Sequence, residues 1–505
     1  MPKGRARVVV VVAAALVVLG AAVGLEARRR GSGDGGAAGQ AASRRGAESP
    51  GTTAGGDGSP ADDGSGGDDG GLLTRLLDAL GGGAAGGDAT TTVVEKCGSA
   101  LASVPVGSAG LLPKGRKHAA SQAEQVREIA TGLEELRMLT FDHVPDPVYV
   151  TPEEMTDRVR AEVEKSLSPE DTADESRGLI ALGALPPGTD LYALTAKLLG
   201  EQVAGYYDPA TGELVVAGDA ASGGLDGQTR IVLAHELDHA LTDQVIGLPD
   251  DDDKPAPGTE DAELARLALI EGDATLAMQL YGLAYVPLLD QLSGLGGAAA
   301  SQEQLAPMPY HVRQHLIFPY LAGLSLVCAL HDAGGWAAVD AAYKAPPSST
   351  AQVLFPERYK AGEGPADPRD PSPPGGAFKA LPRRAFGAAE LQWLLEAPGG
   401  DTDEAVPHAA QRARGWGGGE LQVWVDGDRT ATGLALVQYD GQPPLCATMA
   451  AWYTAAFPGA KRMAKEAGEE LAVDGAAQDA VVRCSGTEVR IGIAPDLATA
   501  RTIAG

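Results

Sequence analysis

The chain has 505 residues, of which 68 are acidic and 40 are basic, and its formal net charge at pH 7 is −28. Proteins that bind nucleic acid need clustered lysine and arginine to neutralise phosphates, so this charge excludes a nucleic-acid partner. The four cysteines show no C-x-x-C spacing, which excludes zinc-ribbon and thioredoxin-like motifs.

Residues 1–30 carry the pattern of an export segment. Lys3, Arg5 and Arg7 precede the apolar run Val8–Leu25. A run of about 18 residues is long enough for a short membrane span or for the core of a long signal peptide. Arg28–Arg30, directly after the run, favours an uncleaved anchor over a cleaved signal peptide. We therefore predict an extracytoplasmic protein that is anchored in the membrane by this N-terminal helix, or secreted.

Residues 31–90 are dominated by glycine, alanine, serine and aspartate, with almost no aromatic or β-branched side chains. A segment of this composition cannot bury enough apolar surface to fold. We predict a disordered Gly/Ala/Asp-rich tether between the membrane segment and the folded part of the chain. Helix signals dominate from there to about residue 345, including capped starts at Thr151 and Ser168.

The run His235-Glu236-Leu237-Asp238-His239 has the H-E-x-x-H order that builds a catalytic zinc site on one helix. An α-helix turns about 100° per residue, so the two histidines lie on adjacent turns and can bind one ion together. Glu236 then lies beside that ion. We expect Thr229 to cap the start of this helix, and Gly247 with Pro249 to end it.

Apolar residues on both sides of the motif predict that it is buried. Ile231–Leu233, Leu237 and Ala240–Leu241 make the helix apolar around most of its circumference. Burial of three ionisable side chains is costly unless a cation such as Zn²⁺ compensates them. The alternative is a core helix whose two histidines are satisfied by hydrogen bonds rather than by a metal.

A catalytic zinc ion has three protein ligands and one open position, so a third ligand must come from another segment. Glu271 is the best candidate, because the rest of its helical stretch, Glu263–Met278, is mainly apolar and directs this carboxylate into the interior. Asp273, Asp261 and Glu263 are weaker alternatives. A further alternative is that Glu271 pairs with an arginine or with a helix end.

The even number of cysteines in an exported chain permits disulfides. Cys446 and Cys484 fall in the same C-terminal unit and are the favoured pair. Cys97 with Cys328 is the second option, although Cys328 also fits a buried helix.

Residues 361–383 are rich in proline, glycine and charge, which is typical of a linker between domains. Beyond this linker, residues 384–505 predict a small C-terminal α+β domain. Its predicted elements are a hairpin of Leu421–Val425 and Gly433–Gln438 around Asp426-Gly427, a helix over Leu445–Phe457, and strands over Ala480–Cys484 and Glu488–Ile493.

Several further runs accompany the two helices with candidate ligands. They are Gly205-Tyr206-Tyr207-Asp208-Pro209, Leu269–Ala274, Phe318-Pro319-Tyr320, Gly334-Gly335-Trp336, Pro346–Thr350 and Gly415–Gly418. With His235–Gln244, they resemble the gluzincins, zinc metallopeptidases with a glutamate ligand on a second helix. More narrowly, they are similar to a group of mostly uncharacterised bacterial extracytoplasmic H-E-x-x-H proteins, over residues 120 to 460.

One position departs from the better-known gluzincins, which carry an aspartate four residues after the ligand glutamate. This chain has Thr275 there. The residue that holds the ring of a ligand histidine is therefore unassigned, with Asp243 and Asp273 as candidates.

The resemblance implies an α+β protein in which residues 91–360 form a helix-rich, zincin-like metallopeptidase domain with a small sheet. It implies that Zn²⁺ is bound by His235, His239 and Glu271. Glu236 is then the general base that activates a metal-bound water for hydrolysis of a peptide bond. The partner is a protein or peptide substrate. In zinc peptidases an extended substrate pairs with an edge strand, and Glu213–Ala217 is the expected edge strand here.

The oxyanion formed during hydrolysis usually needs a hydrogen-bond donor besides the metal. The sequence offers six side chains with this chemistry and does not choose among them: Tyr206, Tyr207, His311, Arg313, His315 and Tyr320.

The sequence supports two hypotheses about function. The first is an anchored or secreted zinc endopeptidase that acts outside the cytoplasm. The second is a catalytically silent envelope binding protein that keeps the zincin fold. The intact set of residues favours catalysis, because a structural zinc site has no need of Glu236. Substrate preference and oligomeric state stay open.

Overall fold

The structure is a computed structural model in which the described residues are Cys97, Ala100, 121–201, 205–217, 224–248, 258–287, 290 and 305–505. The predicted membrane segment at 1–30 and the predicted tether at 31–90 lie outside the described residues. The described residues form a mixture of helix and sheet, which agrees with the α+β class predicted from the sequence.

The first half of the described chain is mainly helical. Its helices are α1 (Gln122–Arg137), α2 (Pro152–Ser166), α3 (Pro169–Ala181), α4 (Leu191–Glu201), α5 (Gly227–Val245), α6 (Glu260–Tyr285), α7 (Tyr310–Gly334), α8 (Trp336–Lys344), α9 (Thr350–Leu354) and α10 (Pro356–Ala361). The predicted starts of α2 and α3 are confirmed. The N–H of Glu154 donates to Thr151 Oγ1, and the N–H of Asp171 donates to Ser168 Oγ.

A three-stranded sheet accompanies these helices, with strands β1 (Pro147–Val150), β2 (Gly205–Asp208) and β3 (Glu213–Ala217). The strand order is β1-β3-β2, with β1 parallel and β2 antiparallel to β3. The prediction that Glu213–Ala217 is the edge strand is therefore wrong, because β1 pairs with its second side. β1 comes from a distant segment, so the local strand pattern held no sign of this pairing. The edge strand that contacts α5 is β2.

Helices α1, α5, α6, α7 and α8 enclose one hydrophobic core. α6 and α7 approach each other closely where Gly272 faces Gly323. A Cβ atom added to Gly323 would lie 1.9 Å from the carbonyl oxygen of Ala268, so this approach requires glycine. By length and composition α7 could cross a membrane, but 56% of its apolar window is buried within the fold.

The second half of the described chain is built on an eight-stranded sheet. Its strands are β4 (Lys379–Ala380), β5 (Arg384–Ala385), β6 (Trp416–Asp426), β7 (Arg429–Gln438), β8 (Lys461–Arg462), β9 (Glu469–Asp474), β10 (Asp479–Ser485) and β11 (Glu488–Ala494). The order is β4-β6-β7-β11-β10-β9-β8, and β5 pairs with β6. The accompanying helices are α11 (Ala388–Glu396), α12 (Ala409–Ala413), α13 (Leu445–Ala456) and α14 (Leu497–Ala504).

The predicted C-terminal elements are confirmed. β6 and β7 form the expected hairpin, and its turn contains Gly427 with a φ angle of 58°, which glycine adopts at little cost. The predicted helix is α13, and the two predicted strands are β10 and β11. The sequence analysis missed β9, because the glutamates at its start, Glu469 and Glu470, weaken the strand pattern.

One hydrophobic core continues across the predicted linker at 361–383. Leu179 of α3 belongs to the same buried cluster as Leu421 of β6. The segment 361–383 itself follows the sheet, where the N–H of Ala366 donates to the carbonyl of Gly417 at 2.7 Å. The helical half and the sheet are therefore joined by buried apolar contacts as well as by the chain.

Both candidate disulfides are present. Cys446 of α13 is bonded to Cys484 of β10, and Cys97 is bonded to Cys328 of α7. Cys328 is fully buried in α7 and also forms a disulfide, so it is both a core residue of a helix and a bridged cysteine. The Cys97 bridge attaches the start of the described chain to the core of the helical half.

Candidate metal centre

Helix α5 presents the H-E-x-x-H residues from the middle of its length. Its N-cap is Asp226, whose side chain accepts the N–H of Thr229 at 2.7 Å. The prediction that Thr229 is the cap was therefore wrong: the helix begins three residues earlier, and aspartate caps at least as well as threonine. The helix ends at Val245 as predicted, where Gly247 has a φ angle of 85° and its N–H donates to the carbonyl of Thr242.

The two motif histidines face each other in the interior. The Nε2 atoms of His235 and His239 are 3.1 Å apart, and their rings meet edge to face with centroids 4.7 Å apart. Both residues are buried. Their spacing of four residues places them on consecutive turns, and apolar neighbours on α5 keep them out of water.

Glu271 of α6 completes this group. Its Oε2 atom lies 3.1 Å from His235 Nε2 and 3.6 Å from His239 Nε2, and its side chain is buried. One ligand atom from each of the three residues lies within 4.8 Å of the others. The structure therefore brings together the three residues that the sequence analysis selected, and their donor atoms converge as a metal site requires.

The three weaker ligand candidates lie elsewhere and have other partners. Asp261 accepts a hydrogen bond from the backbone of Thr350, Glu263 accepts one from the hydroxyl of Thr259, and Asp273 accepts one from Arg137. Glu271 has no arginine partner among the described residues, so the alternative that it is held by an arginine finds no support there.

Glu236 lies fully buried beside the three converging residues. Its Oε2 atom accepts the backbone N–H of Tyr207, on the edge strand β2, at 3.0 Å. Its Oε1 atom has no hydrogen bond with any described residue. One oxygen is thus held by the sheet while the other is left for a further ligand. The sequence analysis missed this role of the Tyr207 backbone, because main-chain donors leave no signature in residue type.

The two glutamates of the site have opposite pKa shifts. Burial raises the pKa of Glu236 to about 8, because the carboxylate loses its water, and the charge of His239 opposes this only in part. Burial also acts to raise the pKa of Glu271, but the charge of His239 and hydrogen bonds from both imidazoles lower it to about 2. Glu271 is therefore a carboxylate anion, as a metal ligand must be.

The charge balance of this region also fits a bound cation. The carboxyl groups of Glu236, Asp238, Glu271 and Asp273 are all buried, and the guanidinium of Arg137 contacts two of them, Asp238 and Asp273. Burial raises the pKa of Glu236 to about 8 and that of Asp238 to about 7, so ionisation of all four carboxyls needs a further cation beside Arg137, which a divalent ion would supply. Two imidazoles with one carboxylate form a donor set that suits Zn²⁺.

The six candidate oxyanion donors have different surroundings. Tyr320 alone has its ring against the metal-site residues, with its centroid 6.2 Å from that of His235. Tyr207 donates its hydroxyl to Asp243. The other four face other neighbours: Tyr206 faces Arg158, His311 and His315 face Trp393, and Arg313 faces Tyr310.

Asp243 and Asp273 were the two residues predicted to hold the ring of a ligand histidine, and both have other hydrogen-bond partners. Asp243 accepts the hydroxyl of Tyr207 at 2.9 Å, and Asp273 accepts from Arg137 and from Tyr343. The Nδ1 atom of His235 has no hydrogen-bond partner among the described residues. The aspartates instead connect α5 and α6 to their surroundings.

No protein-family model, curated protein or solved structure matches this chain. Membership of the gluzincins and the zincin fold therefore stay predictions from the sequence, and the functional conclusion depends on the site itself.

Proposed function

We propose that this protein is a zinc-dependent peptidase that acts outside the cytoplasm. The observation that carries the proposal is the convergence of His235, His239 and Glu271 next to a buried glutamate, Glu236, with one oxygen free of protein hydrogen bonds. A site that only held a metal for structure would not need that glutamate.

His235, His239 and Glu271 are the residues that would hold the ion. Zn²⁺ bound there would supply Lewis-acid chemistry, by polarising the scissile carbonyl and lowering the pKa of a bound water toward about 7. The buried setting of the three side chains excludes bulk solvent, which strengthens electrostatic interactions inside the site.

Glu236 acts as general base and then as general acid, because a divalent cation bound beside it would lower its raised pKa and leave the carboxylate able to accept a proton. Its Oε2 atom stays on the N–H of Tyr207, so the carboxyl group keeps one orientation. Its Oε1 atom takes the proton from the attacking water and later passes it to the leaving amine. Residue order favours this role, since the residue after the first histidine lies beside the ligand position without occupying it.

The edge strand β2 is the proposed site for the substrate backbone. Tyr207 N–H points away from β3 and toward Glu236, so the outer edge of β2 lies next to the catalytic carboxyl. Because the Tyr207 N–H stays on Glu236, an extended peptide would pair with the other main-chain groups of this edge, with little dependence on its side chains. Tyr320, beside His235, is the proposed donor to the oxyanion.

The extracytoplasmic location is also part of the proposal. The described cysteines are all paired, in two disulfides, and disulfides form and persist mainly in oxidising compartments. This agrees with the export segment predicted at residues 1–30, which would anchor the protein or be removed on secretion.

The second candidate is a catalytically silent envelope binding protein. It requires the same fold, with or without the metal, but no proton transfer at Glu236. Burial of an ionisable carboxyl without a fixed ion-pair partner is costly, and a catalytic role gives a reason to retain it. We therefore favour the peptidase.

The test is metal analysis of the full-length chain, together with cleavage of a broad peptide library. We expect about one zinc ion per chain, and loss of cleavage by about 10²- to 10⁴-fold in Glu236→Gln with zinc content retained. Glu271→Ala should lose zinc without unfolding, whereas the matched control Glu263→Ala, earlier on the same helix, should keep it. Wild-type protein that holds zinc but cuts nothing that Glu236→Gln spares would favour the silent binding protein.

A further inference from the structure

Arg137, the last residue of α1, has a fully buried guanidinium surrounded by three other helices. Its Nη2 atom lies 3.0 Å from Asp273 Oδ2 and 3.1 Å from Asp340 Oδ1, and its Nε atom lies 3.3 Å from Asp238 Oδ1. The guanidinium carbon lies 4.1 Å from the centroid of the Trp336 ring. The sequence analysis did not single out this residue, because an arginine at the end of an amphipathic helix is normally solvated.

Two of these carboxylates belong to the helices that carry the metal-site residues. Asp238 directly precedes His239 on α5, and Asp273 follows Glu271 by two residues on α6. Asp273 also accepts the hydroxyl of Tyr343 at 2.9 Å, so its Oδ2 atom has two donors. Arg137 is therefore an ionic bridge between α5 and α6, next to the point where their ligand atoms meet.

We propose that Arg137 is a positioning residue for the metal centre. The rigid, planar guanidinium sets the spacing of α5 and α6 at which His235, His239 and Glu271 converge on one ion. Arginine suits this role better than lysine, because Nη2 donates in fixed directions to Asp273 and Asp340 while the guanidinium stays charged beside Asp238 when buried. The inference rests on the metal-binding part of the proposed function and does not require peptidase activity.

Position and charge make opposite predictions for this residue. If Arg137 acted on the ion only through its charge, its removal would leave the surroundings more negative and zinc would bind more tightly. If Arg137 acts by position, its removal lets α5 and α6 shift, and zinc binds more weakly. Lysine keeps the charge but loses the planar group, so Arg137→Lys also binds zinc more weakly if position is what matters.

The experiment measures the zinc affinity of full-length protein by competition with a chromogenic chelator. We expect Arg137→Met to weaken zinc binding by about 10- to 100-fold, as is typical for residues that orient metal ligands, and Arg137→Lys by a smaller factor. Cobalt-substituted protein provides a second readout, since its visible absorption reports coordination geometry and should change in both variants.

The matched control is Arg384→Met. Arg384 is another largely buried arginine, which pairs with Glu175 at 3.0 Å and Glu390 at 3.2 Å, away from the metal-site residues. Its loss should lower the melting temperature but leave zinc affinity and the cobalt spectrum unchanged. If Arg137→Met does not fold, Arg137→Lys decides the question by the same two readouts, because it keeps the charge.

Unchanged or tighter zinc binding in folded Arg137 variants, with an unchanged cobalt spectrum, overturns the positioning role. Wild-type protein that binds zinc without cleaving peptides removes only the proposed peptidase activity. Wild-type protein that binds no divalent ion removes both.

Discussion

At the scale of single residues, two groups of ionisable side chains each contain a buried histidine and a second histidine four residues further along the chain. The first is the candidate metal centre with Arg137. The second contains His311, which is buried 3.9 Å from Glu390 and near Arg384 and His315, and packs edge to face on Trp393. In the sequence the two histidine pairs, 235/239 and 311/315, have the same spacing. The first pair has a carboxylate oxygen, Glu271 Oε2, within 3.6 Å of both rings, whereas Glu390 lies 3.9 Å from His311.

His311 gives the fold a defined acid sensitivity. Burial, with help from the charges of His315 and Arg384, lowers the pKa of His311 to about 3. The folded state therefore holds a neutral ring, whereas the unfolded state gains a proton below about pH 6.5. Its contribution to stability is complete above that pH and is lost as the pH falls from 6.5 toward 3.

We expect His311→Gln to flatten the pH dependence of the free energy of unfolding. Between pH 6.5 and pH 5, the wild-type protein should lose about 2 kcal/mol that the variant does not lose. Urea unfolding at both pH values measures this difference. The control is His143→Gln on the surface, which should leave the wild-type slope intact. Equal slopes in wild type and His311→Gln would contradict the assignment.

At the scale of elements, the site depends on how closely helices approach each other. α6 carries Glu271, and α7 carries Tyr320 across the contact of Gly272 with Gly323. The sequence alone gives no reason for these two glycines inside helical patterns. In the structure they let two backbones touch, which brings the helix with the third ligand candidate against the helix with the proposed oxyanion donor.

Gly323→Ala should therefore separate α6 from α7. Its Cβ atom would lie 1.9 Å from the Ala268 carbonyl oxygen, and neither backbone can move without disturbing the core. We expect a loss of about 1 to 3 kcal/mol or more in the free energy of unfolding. The control is Gly282→Ala on α6, where the nearest neighbouring atoms would lie 3.6 Å away on the side chain of Ile231.

Gly282→Ala should be neutral or stabilising by up to about 1 kcal/mol, because alanine is the better helix former. Urea unfolding distinguishes the two variants. Equal stability of both would show that the backbone contact at Gly323 is not required for the fold.

At the scale of the whole molecule, the helical half and the sheet share a hydrophobic core. Composition at residues 361–383 predicts a linker between two domains, but residues such as Leu179 and Leu421 lie in one buried cluster. Two parts of a chain that share a hydrophobic core usually unfold in one cooperative step. The Cys446–Cys484 bridge, which spans 38 residues of the C-terminal half, should then stabilise the whole.

We expect one cooperative thermal transition for wild type, measured by calorimetry with zinc present. The double variant Cys446→Ser/Cys484→Ser should shift that single transition to a lower temperature. Its free energy of unfolding should fall by about 3 to 4 kcal/mol in the loop-entropy account. A second, separate transition that alone responds to the double variant would show that residues 384–505 unfold as an independent domain.

The sequence by itself determined the features whose causes are local. The two histidines and Glu236 share one helix face because four residues make about one turn, and the β6–β7 hairpin follows from alternation around a glycine turn. Selecting Glu271 required one more inference, that a lone carboxylate on an apolar helix needs a cation. That inference also used only nearby residues.

Tertiary structure alone decided the features that depend on distant segments. β1, from residues 147–150, pairs with β3 and makes β2 the edge strand. Arg137 becomes buried because α1 ends where α5, α6 and α8 meet. The backbone N–H of Tyr207 donates a hydrogen bond to Glu236, a contact that residue type cannot predict. Each of these contacts joins parts of the chain whose approach follows from packing of the whole core, which no local pattern of residues encodes.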